Sequence, residues 1–392
     1  MGAGLAGLTT AWFLARAGHE VVVVDREPEV AAAASYANTG IIAASRAYPW
    51  SAGEIGRTLR FDPELWLWVI QHLLLRSGRS YRRVLDAKVR LVRYSQQVMH
   101  ELAREIGFDA FTRGVLYLYR TDEGLDEAWE RSAGMRALGF EIERIQVPRI
   151  AELEPGIDAS RLAGALYAPG DEAADAALFC RTLAERCRAL GVHFELANEI
   201  LSIDPVDVRI REIVTRRGGV RGDGFVCALG VMDRKLREQL GTQVPVYPVK
   251  GFSATVPFVR PDAAPRHALI DESRRVAFAP MGAELRITGG AEFAGYSMDH
   301  APHDFAPLYD TVKQLYPGTL DYARARVRAC QRPMTPETTP RFGTGRFHNL
   351  WFNIGLGHMG FAMAAGAGRL TADLVSGHSA PIDLEGLRIR RH

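Results

Sequence analysis

The sequence predicts an α/β protein, with a Rossmann-like nucleotide-binding unit accompanied by a second, α+β unit. Three observations carry this. The chain opens on Gly2-x-Gly4-x-x-Gly7. A helical stretch then leads into Val21-Val22-Val23-Val24-Asp25. Helix–strand alternation returns at residues 145–235 and 345–392.

The opening has the spacing of a dinucleotide-binding turn. Gly2 permits the tight turn, Gly4 lets the backbone approach a pyrophosphate, and Gly7 lets helix and strand pack closely. Leu8 to Ala17 reads as the helix, whose N-terminal N–H groups and partial positive charge suit phosphate. Four valines suit a strand buried on both faces of a parallel sheet. Asp25 ends that strand 18 positions after Gly7, where a carboxylate can accept hydrogen bonds from ribose hydroxyls. The motif normally follows a central strand, yet only Met1 precedes Gly2. Either the numbered chain has lost its first strand, or the gene start is misassigned, or the fold closes without it; the chain as numbered is expected to bind a nucleotide poorly unless residues upstream exist.

Further along, Asp175 to Leu190 reads as a helix ending at Gly191, followed by a strand over Val192 to Glu195. Glu199 to Ile203 and Val208 to Thr215 read as antiparallel strands, and Gly224 to Gly230 as a buried strand running into a turn. Leu350 to Ile354 is a strand, then comes a Gly-rich turn and a helix from about Phe361 to Val375. Ala31 to Ala34 reads as a short helical turn. Asp62 to Ile106 is helical and rich in Arg, Leu and Trp, while Val244 to Cys330 is strand-rich. The expected division is one discontinuous nucleotide-binding domain (1–50, 145–235 and 345–392) and a second domain (51–144 and 236–344).

Composition excludes several classes. The 392 residues carry 48 Lys plus Arg against 46 Asp plus Glu, a net charge of +2. Such balance argues against nucleic acid as a partner, because phosphate binding wants a concentrated basic field. Four cysteines without a C-x-x-C pair make neither a disulfide scaffold nor a zinc site. No secretory signal is visible, and a reducing, cytoplasmic setting is expected. The most apolar window, Leu65 to Leu75, is interrupted by Gln71 and His72 and is short of the ~20 residues needed to span a bilayer.

Six segments in order carry a resemblance to a known family. They are Gly2 to Gly7 with Asp25, Ser35-Tyr36-Ala37-Asn38-Thr39-Gly40, Pro245 to Gly251, Gly290 to Tyr296, Arg332-Pro333-Met334-Thr335-Pro336, and Gly355-Leu356-Gly357-His358-Met359-Gly360. Over nearly its whole length the sequence resembles the flavin-dependent D-amino acid dehydrogenases, within the wider family of D-amino acid oxidase, glycine oxidase and sarcosine oxidase. The resemblance implies FAD as cofactor, a doubly wound FAD domain and a substrate domain built on a large antiparallel sheet. It implies oxidation of a D-amino acid by hydride transfer from the substrate Cα to flavin N5. The imino acid formed hydrolyses to a 2-oxo acid and ammonia, and electrons pass to a quinone-type acceptor. Two other readings stay open: an O2-using oxidase of glycine, sarcosine or a cyclic secondary amine such as D-hydroxyproline, and a non-catalytic nucleotide-binding protein of the same fold.

Such a reaction rests on positioning more than on acid–base machinery. A planar cation that forks the substrate carboxylate is required. The resemblance assigns that role to Arg332; a solvated arginine is the ordinary alternative. Tyr296 and Tyr247 are candidate hydroxyl donors, each with a core tyrosine as alternative. Lys250 either sits near the flavin or lies on the surface. Backbone N–H groups of Gly355, Gly357, Met359 and Gly360, ahead of the last helix, suit negative charge on reduced flavin. His358 either adds to that or caps the helix. Ser35 and Asn38 line the cofactor or form an ordinary Asx/Ser turn. Arg26, Ala228 and Gly230 are placed with the cofactor, and Ile200 against the adenine by resemblance alone. His300-Ala301-Pro302-His303-Asp304 lacks metal spacing, and Asp304 reads as the cap of a helix from Phe305 to Tyr316. Trp66, Trp68, Leu73, Leu74 and Leu75 with Arg76, Arg79, Arg82 and Arg83 form either a membrane-surface helix or a helix buried on the substrate domain.

Overall fold

The structure is a computed structural model that describes residues 1–48, 62–75, 78–242 and 244–389. Arg76 lies outside the described residues. In chain order the first elements are α1 (Leu5–Arg16), β1 (Val22–Val24), β2 (Ile41–Ile42), α2 (Pro63–Leu74), α3 (Gly78–Ile106), β3 (Thr112–Tyr119), α4 (Asp122–Ala137), β4 (Glu143–Ile145) and α5 (Val147–Leu153). There follow β5 (Gly164–Ala173), α6 (Ala176–Ala189), β6 (His193–Glu195), β7 (Ile200–Val206), β8 (Arg209–Thr215), β9 (Gly218–Arg221), β10 (Phe225–Cys227) and α7 (Arg234–Leu240). The last are β11 (Tyr247–Pro257), β12 (Ala268–Asp271), β13 (Val276–Met281), β14 (Glu284–Glu292), α8 (Ala306–Leu315), β15 (Arg326–Met334), β16 (Arg341–Thr344), β17 (Leu350–Ile354) and α9 (Gly360–Val375).

The nucleotide-binding half is assembled from two parallel pairs. β1 pairs with β6, and β10 pairs with β17, which also carries β16 antiparallel. No strand stands between them among the described residues, and two residues bridge the gap. The Met1 ammonium donates to Val226 O at 2.8 Å and Met1 O accepts from Ala228 N at 2.9 Å. On the other side Gly2 N donates to Val24 O at 2.8 Å. Burial lowers the Met1 ammonium pKa. This split corrects the expectation for the valine run: Val23 and Val24 are buried, but Val22 is 43% exposed. The bridge reaches only Val24, so the start of β1 is left with one neighbour.

α1 is largely enclosed, with Leu5, Leu8, Ala11, Trp12 and Leu14 buried. Its contact with α9 depends on Gly368, where a Cβ would stand 2.4 Å from Thr9 Oγ1. That hydroxyl donates to Ala364 O at 2.9 Å. α6 begins as expected after Asp175, whose carboxylate accepts from Ala177 N and Leu178 N at 2.9 and 3.1 Å. Ala31 to Ala34 is a turn with Ala31 left-handed at φ 58°, so it is not a helical turn. Ala31 N there reaches back to Ala3 O at 2.9 Å.

The second half is a nine-stranded sheet in the order β15-β11-β14-β13-β12-β3-β5-β2, with β4 against β5. It is antiparallel except for the parallel pair β12–β3. The sheet takes in β2 and β5, from stretches that the sequence pattern groups with the nucleotide-binding unit, and β16 joins the other half. A strand's own residues report its burial but not its sheet. α8 covers the far face, burying Leu308, Val312 and Leu315. A 3-10 turn over Pro302–Phe305 precedes α8, so Asp304 acts one turn earlier than expected and accepts from Ala301 N at 2.8 Å.

Candidate active site

A cavity of about 1610 Å³ lies between the halves. Its wall on one side is the glycine turn; on the other it is one face of the large sheet, with Arg332, Thr288, Ala277, Ile270, Tyr117 and Tyr119 contributed by neighbouring strands.

The glycine turn fits a nucleotide. Gly2 has φ 103°, and a Cβ there would meet Ala228 O at 2.5 Å. A Cβ on Gly7 would stand 1.8 Å from Gly2 O, so the helix sits directly on the turn. A Cβ on Gly4 would approach Ser35 Oγ at 2.9 Å. Any side chain at these positions would fill the cradle or push the turn apart. Asp25 Oδ2 accepts from Ala3 N at 2.6 Å, and its other oxygen accepts from Glu27 N at 2.9 Å, which fixes the carboxylate at the cavity edge. Asn353 adds an independent sign. It lines the cavity and donates to Thr10 Oγ1 at 3.2 Å, while its buried Oδ1 has no donor among the described residues. A buried acceptor of this kind calls for a donor.

Of the residues singled out in the sequence, Gly2, Gly4, Asp25, Ser35, Asn38, Ala228, Gly230, Arg332, Gly357, His358, Met359 and Gly360 line this cavity. Ser35 Oγ accepts from Leu5 N at 3.0 Å. Asn38 bonds within its own turn, donating to Ser35 O at 3.0 Å and accepting from Gly40 N at 2.8 Å. Arg332 lies across Gly251, where a Cβ would clash with its guanidinium at 2.1 Å. It donates to Gly290 O at 2.9 Å. His358 is exposed to the cavity. Burial, then the positive charges of Lys88 and Arg332, push its pKa well below the ordinary imidazole range.

The remaining residues singled out in the sequence stand elsewhere. Gly7 and Gly355 stand behind the lining; Gly355, at φ 77°, makes a turn packed on Thr335. Arg26 is exposed and reaches Glu27 at 3.3 Å. Ile200 starts β7 in the separate β7-β8-β9 sheet, outside the cavity lining. Tyr247 is buried among Trp68 and Phe293, and its hydroxyl donates to Asp62 at 2.8 Å. Tyr296 is 44% exposed and donates to Met232 O at 3.1 Å. Lys250 is neither at the cavity wall nor on the surface: it is buried, paired with Glu292 at 2.9 Å and bonded to Asp299 O at 2.9 Å. The hydroxyl protons of Tyr247 and Tyr296 and two of the three Lys250 donors are thus engaged by the protein.

Sequence reading missed Arg46, Tyr48, His72, Lys88, Tyr117, Tyr119, Glu272 and Asn353. They come from six separate segments, so no spacing signal connects them. His72 lines the cavity from α2, stacked on Trp68 at 5.0 Å with Nδ1 2.7 Å from Pro336 O. No group of His, Cys, Asp and Glu able to hold a metal occurs among the described residues.

Comparisons with known proteins agree with this architecture. The model of the DAO family, described as FAD dependent oxidoreductase, matches residues 1–374. A D-amino acid dehydrogenase of Rhizorhabdus wittichii is 38% identical over 411 aligned positions, covering 100% of this chain and 99% of the relative. One of Agrobacterium fabrum is 35% identical, covering 100% and 98%. Among solved structures, glycine oxidase from Geobacillus kaustophilus superposes with a TM-score of 0.78 at 22% identity, covering 100% of this chain and 97% of that one. Iminodiacetate oxidase from Chelativorans sp. BNC1 gives 0.76 at 21% identity, covering 100% and 98%. With a glycine cradle, an unmet acceptor facing the cavity and a family match along almost its entire length, the chain belongs to the DAO family of FAD-dependent oxidoreductases.

Proposed function

We propose that this chain oxidises the Cα–N bond of a D-amino acid, and that Arg332 holds the substrate carboxylate. The observation that carries this reading is the guanidinium in the cavity wall with one N–H tied to Gly290 O and no carboxylate partner among the described residues. That tether aims the planar fork and leaves its other donors for a carboxylate. Relatives named D-amino acid dehydrogenase support the substrate class.

When bound, FAD supplies the capacity to take up two electrons. Gly2, Gly4, Asp25, Ser35, Ala228 and the Gly357–Gly360 backbone would hold it. His358 stays a neutral hydrogen-bonding group at the cavity wall, because desolvation first, and then the charge of Arg332 and of Lys88 when protonated, disfavour its charged form. It therefore adds no positive charge that would compete with Arg332 for the carboxylate. Loss of hydride from Cα and of a proton from the amine gives the imino acid, and water converts that to a 2-oxo acid and ammonia. The test is anaerobic titration of the FAD-loaded protein with a panel of D-amino acids. Bleaching of the flavin absorbance is expected, and an unbleached flavin with every member refutes the reading.

The acceptor is proposed to be a quinone-type molecule reached at a membrane surface. Support comes from α2. Its inner face buries Leu65, Trp68, Val69 and His72, whereas Trp66, Leu67, Ile70, Leu73 and Leu74 are exposed, Leu74 by 72%. Arg79, Arg82 and Arg83 are exposed at the start of α3, so a basic group follows the apolar face closely in the chain. That pairing suits an anionic lipid surface. No described helix is long and apolar enough to cross a membrane. Cosedimentation with phosphatidylglycerol vesicles, lost on Leu67→Glu with Leu74→Glu, checks the surface.

A further inference from the structure

The end of the cavity away from Arg332 has a different chemistry. Five strand spacings separate β15, which carries Arg332, from β3, which carries Tyr117 and Tyr119, or about 24 Å along the sheet. A small amino acid anchored at Arg332 does not fill that length.

Tyr48, Tyr81 and Tyr119 line this end. Arg46 lies over the Tyr117 ring at 4.5 Å and near Tyr48 at 5.8 Å. It is ion-paired with Glu272, so its guanidinium plane extends the aromatic wall with its charge balanced. Tyr117 is fully used, donating to Asp171 at 2.6 Å. Tyr119 is not. It is 4% exposed; the Arg46 guanidinium reaches its oxygen, but its O–H has no acceptor among the described residues. Buried hydroxyls normally find a partner, so this one calls for an acceptor brought by a ligand. Arg131, exposed at the same end, adds a guanidinium without a carboxylate partner among the described residues. Its field reaches the hydroxyls of Tyr48, Tyr81 and Tyr119. Tyr48 already donates to Arg131 O at 3.3 Å, so the surroundings are flat rings with the Tyr119 hydroxyl and the Arg131 guanidinium as the donors.

We propose that the Tyr48–Tyr81–Tyr119 end of the cavity binds a planar conjugated molecule with oxygen acceptors on its rim. Its importance for turnover rests on the function proposed above; its existence as a site does not. Two sources share this chemistry: an aryl side chain of the substrate, and a free quinone.

The experiment uses the full chain loaded with FAD and two probes. Calorimetry measures the affinity for 1,4-naphthoquinone with no turnover. Anaerobic titration compares D-tyrosine with D-alanine. Tyr119→Phe removes only the orphan hydroxyl, and Arg131→Gln changes an exposed residue; near-UV circular dichroism confirms that each variant keeps its packing. If the ligand is a free quinone, Tyr119→Phe weakens naphthoquinone about tenfold and leaves the D-tyrosine to D-alanine ratio alone. If it is the substrate's own ring, the ratio shifts toward D-alanine by a similar factor. Arg131→Gln moves the same quantity in the same direction. The proposal is overturned if both variants leave the naphthoquinone affinity and the ratio unchanged. Naphthoquinone binding that depends on Tyr119, in a protein reduced by no D-amino acid, refutes the proposed function and leaves this site standing.

Discussion

The ammonium of Lys88 donates to the carbonyl of Tyr48 at 2.9 Å, wholly out of solvent and with no carboxylate partner among the described residues. Thr338 Oγ1 is its other contact, at 3.5 Å. One amine thus ties together the two segments that carry Tyr48 and Glu337 to the cavity wall. Burial lowers its pKa to about 7. The unfolded chain, with an ordinary lysine near 10.4, holds more protons than the native state between these values. Lys88 therefore makes the protein more stable as pH rises from about 7 to about 10. In Lys88→Met that contribution disappears. Denaturant midpoints of wild type and variant, measured at pH 7 and pH 10, are expected to converge or cross as the wild type gains; a constant difference contradicts the assignment.

Arg332→Ala is expected to raise the D-amino acid concentration for half-reduction by about a hundredfold while the protein keeps FAD, since a charge-assisted fork is lost and nothing else in the cradle is touched. Arg332→Lys recovers only part of this, because a point charge cannot fork a carboxylate. The measurement is anaerobic flavin bleaching against substrate concentration, with the absorbance ratio of flavin to protein as the control.

His358 sets a pH prediction. Its pKa lies well below the ordinary imidazole value, so it is neutral throughout the physiological range. The limiting rate of flavin reduction is expected to show no limb between pH 6 and 8 that disappears in His358→Asn. Stopped-flow reduction across that range reads this directly.

Gly7→Ala tests the cradle. The added Cβ would stand 1.8 Å from Gly2 O, and a backbone oxygen held by the turn cannot swing aside. Overpacking of this kind costs about 1–3 kcal/mol. Chemical denaturation is expected to show that loss together with weaker FAD retention. Normal retention would mean that the turn relaxes.

Tyr247→Phe and Tyr296→Phe separate packing from function. Tyr247 serves Asp62, which caps α2 through Glu64 N and Leu65 N at 3.0 and 3.4 Å. Its loss is expected to cost about 1 kcal/mol of stability and to change flavin reduction by less than twofold. Tyr296→Phe, at an exposed position, is expected to change neither. A tenfold fall in reduction rate in either variant returns that hydroxyl to the site.

Local pattern made the nucleotide half legible. Glycine spacing, a helix and a terminal acid are neighbours in sequence, and hydrogen bonds such as Ala3 N to Asp25 follow from that adjacency. Resemblance over the whole chain located Arg332 and His358 on the cavity wall. Tyr247, Tyr296 and Lys250 lay in the same motifs but turn to partners that only the folded chain supplies: Asp62, Met232 and Glu292. Sheet membership of β2 and β5 was likewise hidden, because alternation records which face is buried and not against what. The tyrosine-lined end and Lys88 were invisible for a related reason. Arg46, Tyr48, Lys88, Tyr119, Arg131 and Glu272 span more than two hundred positions of chain, and only closure of the sheet around the cavity brings them together. The sequence by itself determined the nucleotide cradle, whose chemistry is written in contiguous residues, and through resemblance along the chain the cofactor; the tertiary structure decided which side chains face the ligand, because direction and partnership are set by long-range packing.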